Sequence, residues 1–439
     1  VEELLSGIKK SVKDFDLFIC TSESLPVVFE NNELKSIEGS FHEGAGLRIK
    51  NKDKIGFSSI SDLSSLEDTA KNALDTSGLG EKAFFDFPEQ KSAEKDLGIF
   101  SEDLAETSPE AMLAWGDHYI RNLLKLNNKL KVNVHLEKDV LRKRLFNSAG
   151  LGLDEKKTII DCSVSIFLAQ EKNFLEIWDY FSICDVPSGE KIQAILDNIH
   201  FLYTHAQKSA SVSSGPHKVY FTPKAFSTLM NLFIQSFNGK LFEKKISYFC
   251  DKIDQSFIDK DIDIIDNPGL YGYPKSSSFD GDGLAPQTIA LIKSGVVKAF
   301  PLDLQTAGKM GLHSNGHSLR STTALPVPGF TNIEFNVKDE TLLDKRKAII
   351  SDMDEGLIVD QFLGAGQSNI IGGEFSSNVE LGYVVKNGKI AGRVKNCMIT
   401  GNMFDFFSDL IKADDVKSDY SGFSVPGVLF DKISVKVKE

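Results

Sequence analysis

Residues 276–320 constrain the fold of this chain more than any other stretch. They open on a polar loop, Ser276-Ser-Ser-Phe279-Asp280-Gly-Asp-Gly283. Gly281 and Gly283 there can take backbone angles that other residues avoid. Two strand-like runs follow, Thr288–Lys293 and Val296–Phe300, joined across Lys293-Ser-Gly295. That pattern predicts a β-hairpin. A second glycine-rich loop, Gly308 to Gly316, then leads to Arg320. Polar loops of this kind carry binding groups when a rigid sheet holds them, so the stretch demands a β-rich domain beneath it.

At 439 residues the chain has room for roughly two to four domains of about 150 residues each. The class read from its runs is α+β with mostly antiparallel sheets. An N-terminal α+β domain is expected over 1–95. It has a helix at Glu2–Lys13, strands at Leu17–Cys20, Val27–Glu30, Gly46–Lys50 and Lys54–Ile60, and a helical spacing through Leu63, Leu66, Ala70 and Ala73. A central α+β domain is expected over 104–209. Its first helix, Pro109–Leu126, has Ser108 as cap and Pro109 at the first position. Strands at Lys131–Leu136, Leu141–Phe146, Thr158–Leu168 and Phe174–Ile183 come next, and a helix from Ser188 closes the unit. The turns Gly44-Ala-Gly46-Leu47 and Ser148-Ala-Gly150-Leu151 look alike. After the small-residue linker Ala210–Pro216, residues 215–439 read as one large β-rich C-terminal domain, with helices at Pro223–Phe237 and Met403–Ile411.

Fifty basic against 62 acidic residues leave a net charge of −12. Such a balance repels nucleic acid and anionic membranes, and no dense Lys/Arg run with interleaved aromatics offsets it. The five cysteines are scattered without a CxxC pair, which predicts free thiols in a reducing compartment. No basic segment followed by an apolar one opens the sequence, and no apolar run nears the roughly 20 residues of a membrane span. A cytoplasmic protein without nucleic-acid or membrane partners is expected.

The order of loop, hairpin, loop and Arg resembles the TldD/PmbA family, also called the modulator of DNA gyrase family. The pieces that carry the resemblance are Phe279-Asp280-x-x-Gly283, Ile292-Lys-Ser-Gly295-Val and Gly316-x-x-x-Arg320. Glu43-Gly44-x-Gly46-Leu-Arg48, Pro328-Gly-Phe-Thr-Asn332, Gly372-Gly-Glu-Phe-Ser376, Gly401-Asn402 and Val425-Pro426-Gly-Val-Leu429 extend it over nearly the whole chain. The resemblance implies a peptidase setting. Phe279, Asp280, Gly283 and Arg320 are its candidates for a substrate cleft, where Asp280 and Arg320 could hold a peptide's termini or order the loops.

One helix decides the chemistry. The TldD branch resembles a zinc peptidase with H-E-x-x-x-H on the helix that opens the last domain. Two His about one turn apart can face one metal, and the Glu between them can take a proton from metal-bound water. Here the corresponding helix, after Thr222-Pro223, reads Leu229-Met-Asn-Leu-Phe-Ile-Gln-Ser-Phe-Asn-Gly239, without His or Glu. Phe226, Leu229, Met230, Phe233 and Phe237 recur at core spacing. Neither a catalytic residue, a metal nor another cofactor is therefore expected, and the chain resembles the PmbA/TldE branch. That branch implies a partner role beside a TldD-like zinc peptidase subunit, acting on peptides or small unfolded proteins, with a homodimer possible in isolation. The alternatives are an independent hydrolase using His313, His317 or Asp280, or a peptide-binding scaffold with no catalytic partner.

Other patterns read as structure. His313-x-x-x-His317 lies in a glycine-flanked loop with no acid between the two His. Asp280-Gly-Asp282-Gly283 lacks the twelve-residue calcium pattern and reads as a turn. Gly364-Ala-Gly366-Gln-Ser-Asn369 lacks the third Gly and the βαβ setting of a dinucleotide site.

Overall fold

The computed structural model describes residues 2–61, 66–89, 95–170, 173–364, 369 and 371–437. Leu63 and residues 365–368 of the expected Gly364–Asn369 turn lie outside them. The architecture is α+β with mostly antiparallel sheets and a large β-rich C-terminal region, as expected.

Seven strands from the first half form one sheet: β1 (Asp14–Glu30), β2 (Glu33–Ile37), β3 (Ser40–Asn51), β4 (Lys54–Ile60), β5 (Lys131–Asn147), β6 (Gly152–Gln170) and β7 (Asn173–Ile183). Their order is β4-β3-β1-β5-β6-β7, with β2 also on β1. The segments 1–95 and 104–209 thus share a sheet, because β1 pairs with β3 on one edge and with β5 on the other. Several expected strand pairs are single long strands. Leu17–Cys20 and Val27–Glu30 both lie in β1; Lys131–Leu136 and Leu141–Phe146 both lie in β5. The polar residues between them look like turns in sequence. On both sides, however, their backbones are hydrogen-bonded to neighbouring strands, so the ladder runs straight through. Gly44–Leu47 falls inside β3, whereas Ser148–Leu151 joins β5 to β6, so the two similar turns occupy different places.

The two faces of this sheet have separate fates, set by the period-2 alternation of side chains. Helices α1 (Glu2–Ser11), α2 (Leu66–Ser77), the single-turn α3 (Glu102–Ala105), α4 (Pro109–Leu123) and α5 (Gly189–Ala206) accompany it. As expected, Ser108 caps α4 by accepting from the Ala111 N–H. Phe15, Leu17, Ile19, Val27 and Phe29 of β1 point into the cores under the helices. Asp16, Phe18, Cys20 and Ser22 point the other way, alongside Lys143 of β5 and Glu155 and Lys157 of β6. That second face meets the C-terminal domain.

The C-terminal domain opens with β8 (Gly215–Phe221), α6 (Pro223–Gln235) and α7 (Gly239–Glu243). Strand β9 (Ile262–Asp266), the expected hairpin β10 (Ile289–Lys293)–β11 (Val296–Val297) and α8 (Leu304–Met310) follow. A second hairpin, β12 (Ser318–Ser321)–β13 (Ala324–Pro328), precedes β14 (Ile333–Val337). The rest supplies β15 (Leu343–Asp344), β16 (Glu355–Leu363), β17 (Glu374–Lys386), β18 (Lys389–Arg393) and β19 (Cys397–Asn402). Last come β20 (Leu410–Asp414), β21 (Ser418–Tyr420), β22 (Phe423–Val425) and β23 (Val428–Val437). Strands β8, β16, β17, β19 and β23 close on themselves, since β23 pairs with both β19 and β8. A six-stranded sheet, β11-β10-β9-β14-β22-β21, lies across from them.

Helix α6 belongs to the core they enclose. Thr222 caps it, Pro223 starts it, and Phe226, Leu229, Met230, Phe233 and Ile234 are buried. Phe226 meets Phe335 of β14 edge-on at 5.1 Å, and Phe233 meets Phe407 at 4.7 Å. Only Asn231 on this helix is exposed. Truncating Phe233 to Ala is expected to cost about 3–5 kcal/mol in urea unfolding, against less than about 0.5 kcal/mol for Asn231→Ala; similar losses at both positions would contradict this placement of the helix.

Candidate functional site

The site is the seam where the open face of the seven-stranded sheet meets the loops of the C-terminal domain. On β3, Gly44 and Gly46 leave that face bare, and the tip of the β12–β13 hairpin occupies the space. A Cβ at Gly46 would lie 2.8 Å from the Thr322 carbonyl oxygen, so any side chain there would push the hairpin away.

Beside the glycines sits a buried charge network. Arg48 Nε donates to Asp16 Oδ2 at 3.1 Å, and its Nη2 bonds the same oxygen. The other Asp16 oxygen accepts from Arg320 Nη2 at 2.8 Å. Arg48 Nη1 reaches Asp282 Oδ1 at 2.8 Å. All four side chains are at most 2% exposed. Burial alone would raise the Asp16 carboxyl, but Arg320 and Arg48 outweigh it and hold it below its ordinary range. Arg320 also donates to the carbonyl oxygens of Gly46 (3.2 Å) and Gly281 (3.4 Å), which ties β3 to the 276–284 loop.

That loop is shaped by Asp280. Its Oδ1 accepts from the N–H groups of Asp282 (3.0 Å) and Leu284 (2.8 Å), and its Oδ2 from Ser318 N–H at 3.1 Å. The expected turn forms, with Gly283 at φ +87°, where only glycine is comfortable. Burial, with the Asp282 charge beside it, pushes the Asp280 carboxyl up to about 7. Asp303, the cap of α8, is pushed up to about 6, again by burial first and Asp282 second. Phe279 seals the end of the seam against Phe18, Leu145, Leu151 and Leu153.

Strands β5 and β6 hold the start of the same loop. Lys143 Nζ contacts Glu155 Oε1 (3.0 Å), the Phe279 carbonyl oxygen (3.0 Å) and Ser277 Oγ. Lys157 Nζ donates to the carbonyl oxygens of Pro274 (2.7 Å) and Ser276 (2.6 Å). Burial and the Lys143 charge bring Lys157 down to about 8. The seam encloses three adjoining cavities. One of about 580 Å³ runs past Cys20, His42, Glu43 and Thr322. One of about 350 Å³ runs over Cys20, Leu141 and Lys157, and one of about 130 Å³ lies under Asp280, His317 and Ser318.

The four candidates named from the sequence therefore converge. Phe279 packs, Gly283 turns, Asp280 binds backbone, and Arg320 takes Asp16 as its partner. Arg320 reaches the Asp280 loop through the Gly281 carbonyl. His313 is exposed and His317 buried. The ring of His317 spans Gln287 O (Nε2, 2.8 Å) and Asp266 Oδ2 (Nδ1, 3.3 Å). Burial lowers its affinity for a proton, but Asp266 more than compensates, and the net shift is upward. A zinc site on α6 does not fit this chain, since the side chains one turn apart there are Phe and Leu facing the core. Among the described residues no group of three or more His, Cys, Asp or Glu is placed to hold a metal, and no helix is long and apolar enough to cross a membrane.

Residues 214–437 match the PmbA/TldA metallopeptidase C-terminal domain, and residues 15–77 match domain 1 of the same family. The chain belongs to the PmbA/TldD family. An uncharacterized protein of Methanocaldococcus jannaschii is 25% identical over 98% of both chains. A protein named metalloprotease PmbA homolog from Buchnera aphidicola is 23% identical over 99% of this chain and 94% of its own. The fold matches the crystal structure of TldE from Thermococcus kodakarensis with a TM-score of 0.89, at 18% identity and 99% coverage of both.

Within this PmbA/TldD-type seam, sequence reading left Asp16, Asp282, Lys143, Glu155 and Lys157 unassigned. The available signal was Asp16 itself, a charge among the apolar residues of Phe15–Ile19. Arg48→Met leaves the buried Asp282 without its cation and Asp16 with Arg320 alone, and a loss of about 3–5 kcal/mol is expected in chemical denaturation; a loss below about 1 kcal/mol would show the network to be dispensable. A second expectation concerns pH. A carboxyl raised by folding contributes stability that is full below its unfolded value and is lost as pH climbs through the folded value. For Asp280 and Asp303 that window runs from the ordinary 3.8 to about 7 and about 6. Asp303→Asn keeps a capping oxygen and removes the charge, so melting curves from pH 4.5 to 8 should fall less steeply than for the parent, and parallel curves would refute the assignment.

Proposed function

We propose that this chain is a metal-free PmbA/TldE-type subunit whose seam forms part of a peptide-processing cleft beside a TldD-like zinc peptidase partner. The observation that carries this reading is α6. It stands where zinc chemistry would require two His and a Glu, and it presents Phe226, Leu229 and Phe233 to the core instead. A wall of the cleft remains in the loops around Asp280 and Arg320 and in the open face of the sheet, from Phe18 to Ser22. That face is long, polar at Ser22 and Lys143, and flanked by cavities. It suits an extended peptide or a small unfolded protein recognised mainly through its backbone.

The reading predicts no zinc-dependent peptide cleavage by the purified chain. It also predicts a complex with a TldD-like protein, detected by native mass spectrometry, and cleavage only when both chains are present. Zinc-dependent cleavage by the chain alone, or failure to associate with that partner under conditions where each is folded, would overturn it.

A further inference from the structure

The smallest of the three cavities has a chemistry of its own. It lies between the Asp280 loop and β12, with Phe18 and Lys143 of the sheet as its far wall, and has a volume of about 130 Å³. On β12 the side chains alternate. Ser318 and Arg320 turn inward, while Leu319 and Ser321 turn out to solvent. Ser318 is 3% exposed and the Arg320 side chain 0%. Ser318 Oγ and Arg320 Nε are both buried, and among the described residues neither has a hydrogen-bond partner. A buried donor left unused costs about 1–3 kcal/mol, so two of them on one face of a four-residue strand suggest a group that accepts from both.

The surrounding charge defines that group. Lys143, His317 and Arg320 line the cavity, and so does Lys275. The Lys275 ammonium lies over the Phe423 ring at 5.6 Å, and no carboxylate among the described residues is within ion-pair distance of it. The one acid in the lining is Asp280, and both its oxygens already accept backbone N–H groups. Lys143, His317 and Arg320 are each paired with a carboxylate outside the lining, Glu155, Asp266 and Asp16, so among the described residues Lys275 is the lining cation left to draw an anion in. The volume is that of about four waters at roughly 30 Å³ each, enough for a carboxylate and the atoms next to it. Gly281 lies against the donor pair, since a Cβ there would meet Ser318 Oγ at 3.0 Å and Arg320 Cβ at 2.8 Å. Phe18, Lys143 and Arg320 also line the 350 Å³ cavity, so the pocket opens onto the groove along the sheet.

We propose that this cavity takes the terminal carboxylate of a peptide lying in the groove, with Ser318 Oγ and Arg320 Nε donating to its oxygens and Lys275 adding a long-range attraction. The inference rests on the peptide-groove reading above and deepens it, because it fixes which end of the peptide meets Asp280 and β12.

The test compares an N-terminally fluorescein-labelled octapeptide of alanine and serine with the same peptide carrying a C-terminal amide, by fluorescence anisotropy at neutral pH. The free acid should bind about tenfold more tightly than the amide. Ser318→Ala and the exposed-site variant Lys275→Met should each reduce that preference severalfold, and their combination should bring it within about twofold, while thermal melts stay close to the parent's. Equal affinity for acid and amide would overturn the carboxylate pocket and leave the groove standing. Binding of neither peptide would overturn both, whereas a preference that survives both substitutions would overturn the pocket alone.

Discussion

The structure depends on one buried interaction, in which Asp16 is shared by Arg48 and Arg320 while Arg48 also reaches Asp282. Asp16 and Arg48 come from adjacent strands of the N-terminal sheet; Asp282 comes from a loop and Arg320 from β12 of the C-terminal domain. Full desolvation of ionised groups is costly unless each finds an opposite charge and a good hydrogen-bond geometry. The four groups satisfy one another only when both halves of the chain are in register. The network therefore contributes specificity of docking more than raw stability. A slipped sheet, or a loop displaced by a few ångströms, would leave an unpaired buried charge.

The same demand explains the small residues around it. Charges can meet across the seam only if the backbones approach closely, and Gly46 and Gly281 permit that approach. Asp280 then fixes the loop by accepting from three backbone N–H groups, a function a neutral residue of similar shape could fill only in part. Accumulating acids around Asp282 has an electrostatic consequence. Asp280 and Asp303 hold their protons to unusually high pH because burial first, and the Asp282 charge second, disfavour their ionised forms. Rigid loops and elevated carboxyl pKa values are thus two results of the same packing.

Much of this was legible in the sequence. The glycines and acids of Phe279–Gly283, the hairpin about Lys293–Gly295, the caps Ser108 and Thr222, and the apolar stripe of α6 all follow from local rules of backbone geometry and periodicity. What could not be read were the partners. The pairing of Asp16 with Arg320 spans 304 residues, and the local signal, a charge among apolar residues, does not name the partner. The long strands failed for a related reason. Polar residues at Thr21–Ser24 and Glu137–Asp139 signal a turn only if their backbones lack partners, and here neighbours on both sides supply them. The joining of two expected units into one sheet is the same fact on a larger scale.

Helix α6 shows how one position in a fold can be committed to only one of two uses. A metal-binding helix must keep His and Glu side chains converging on a point open to substrate, which leaves a face of the helix unavailable to the core. In this chain Phe226 packs on Phe335 and Phe233 on Phe407, with Asn231 alone exposed. Restoring ligands at such positions would replace aromatic contacts with polar groups in an apolar interior, at a cost of several kcal/mol before any metal bound. Core stability and metal chemistry exclude each other on this helix. The seam has no such conflict, because the four charges buried there are already paired across it.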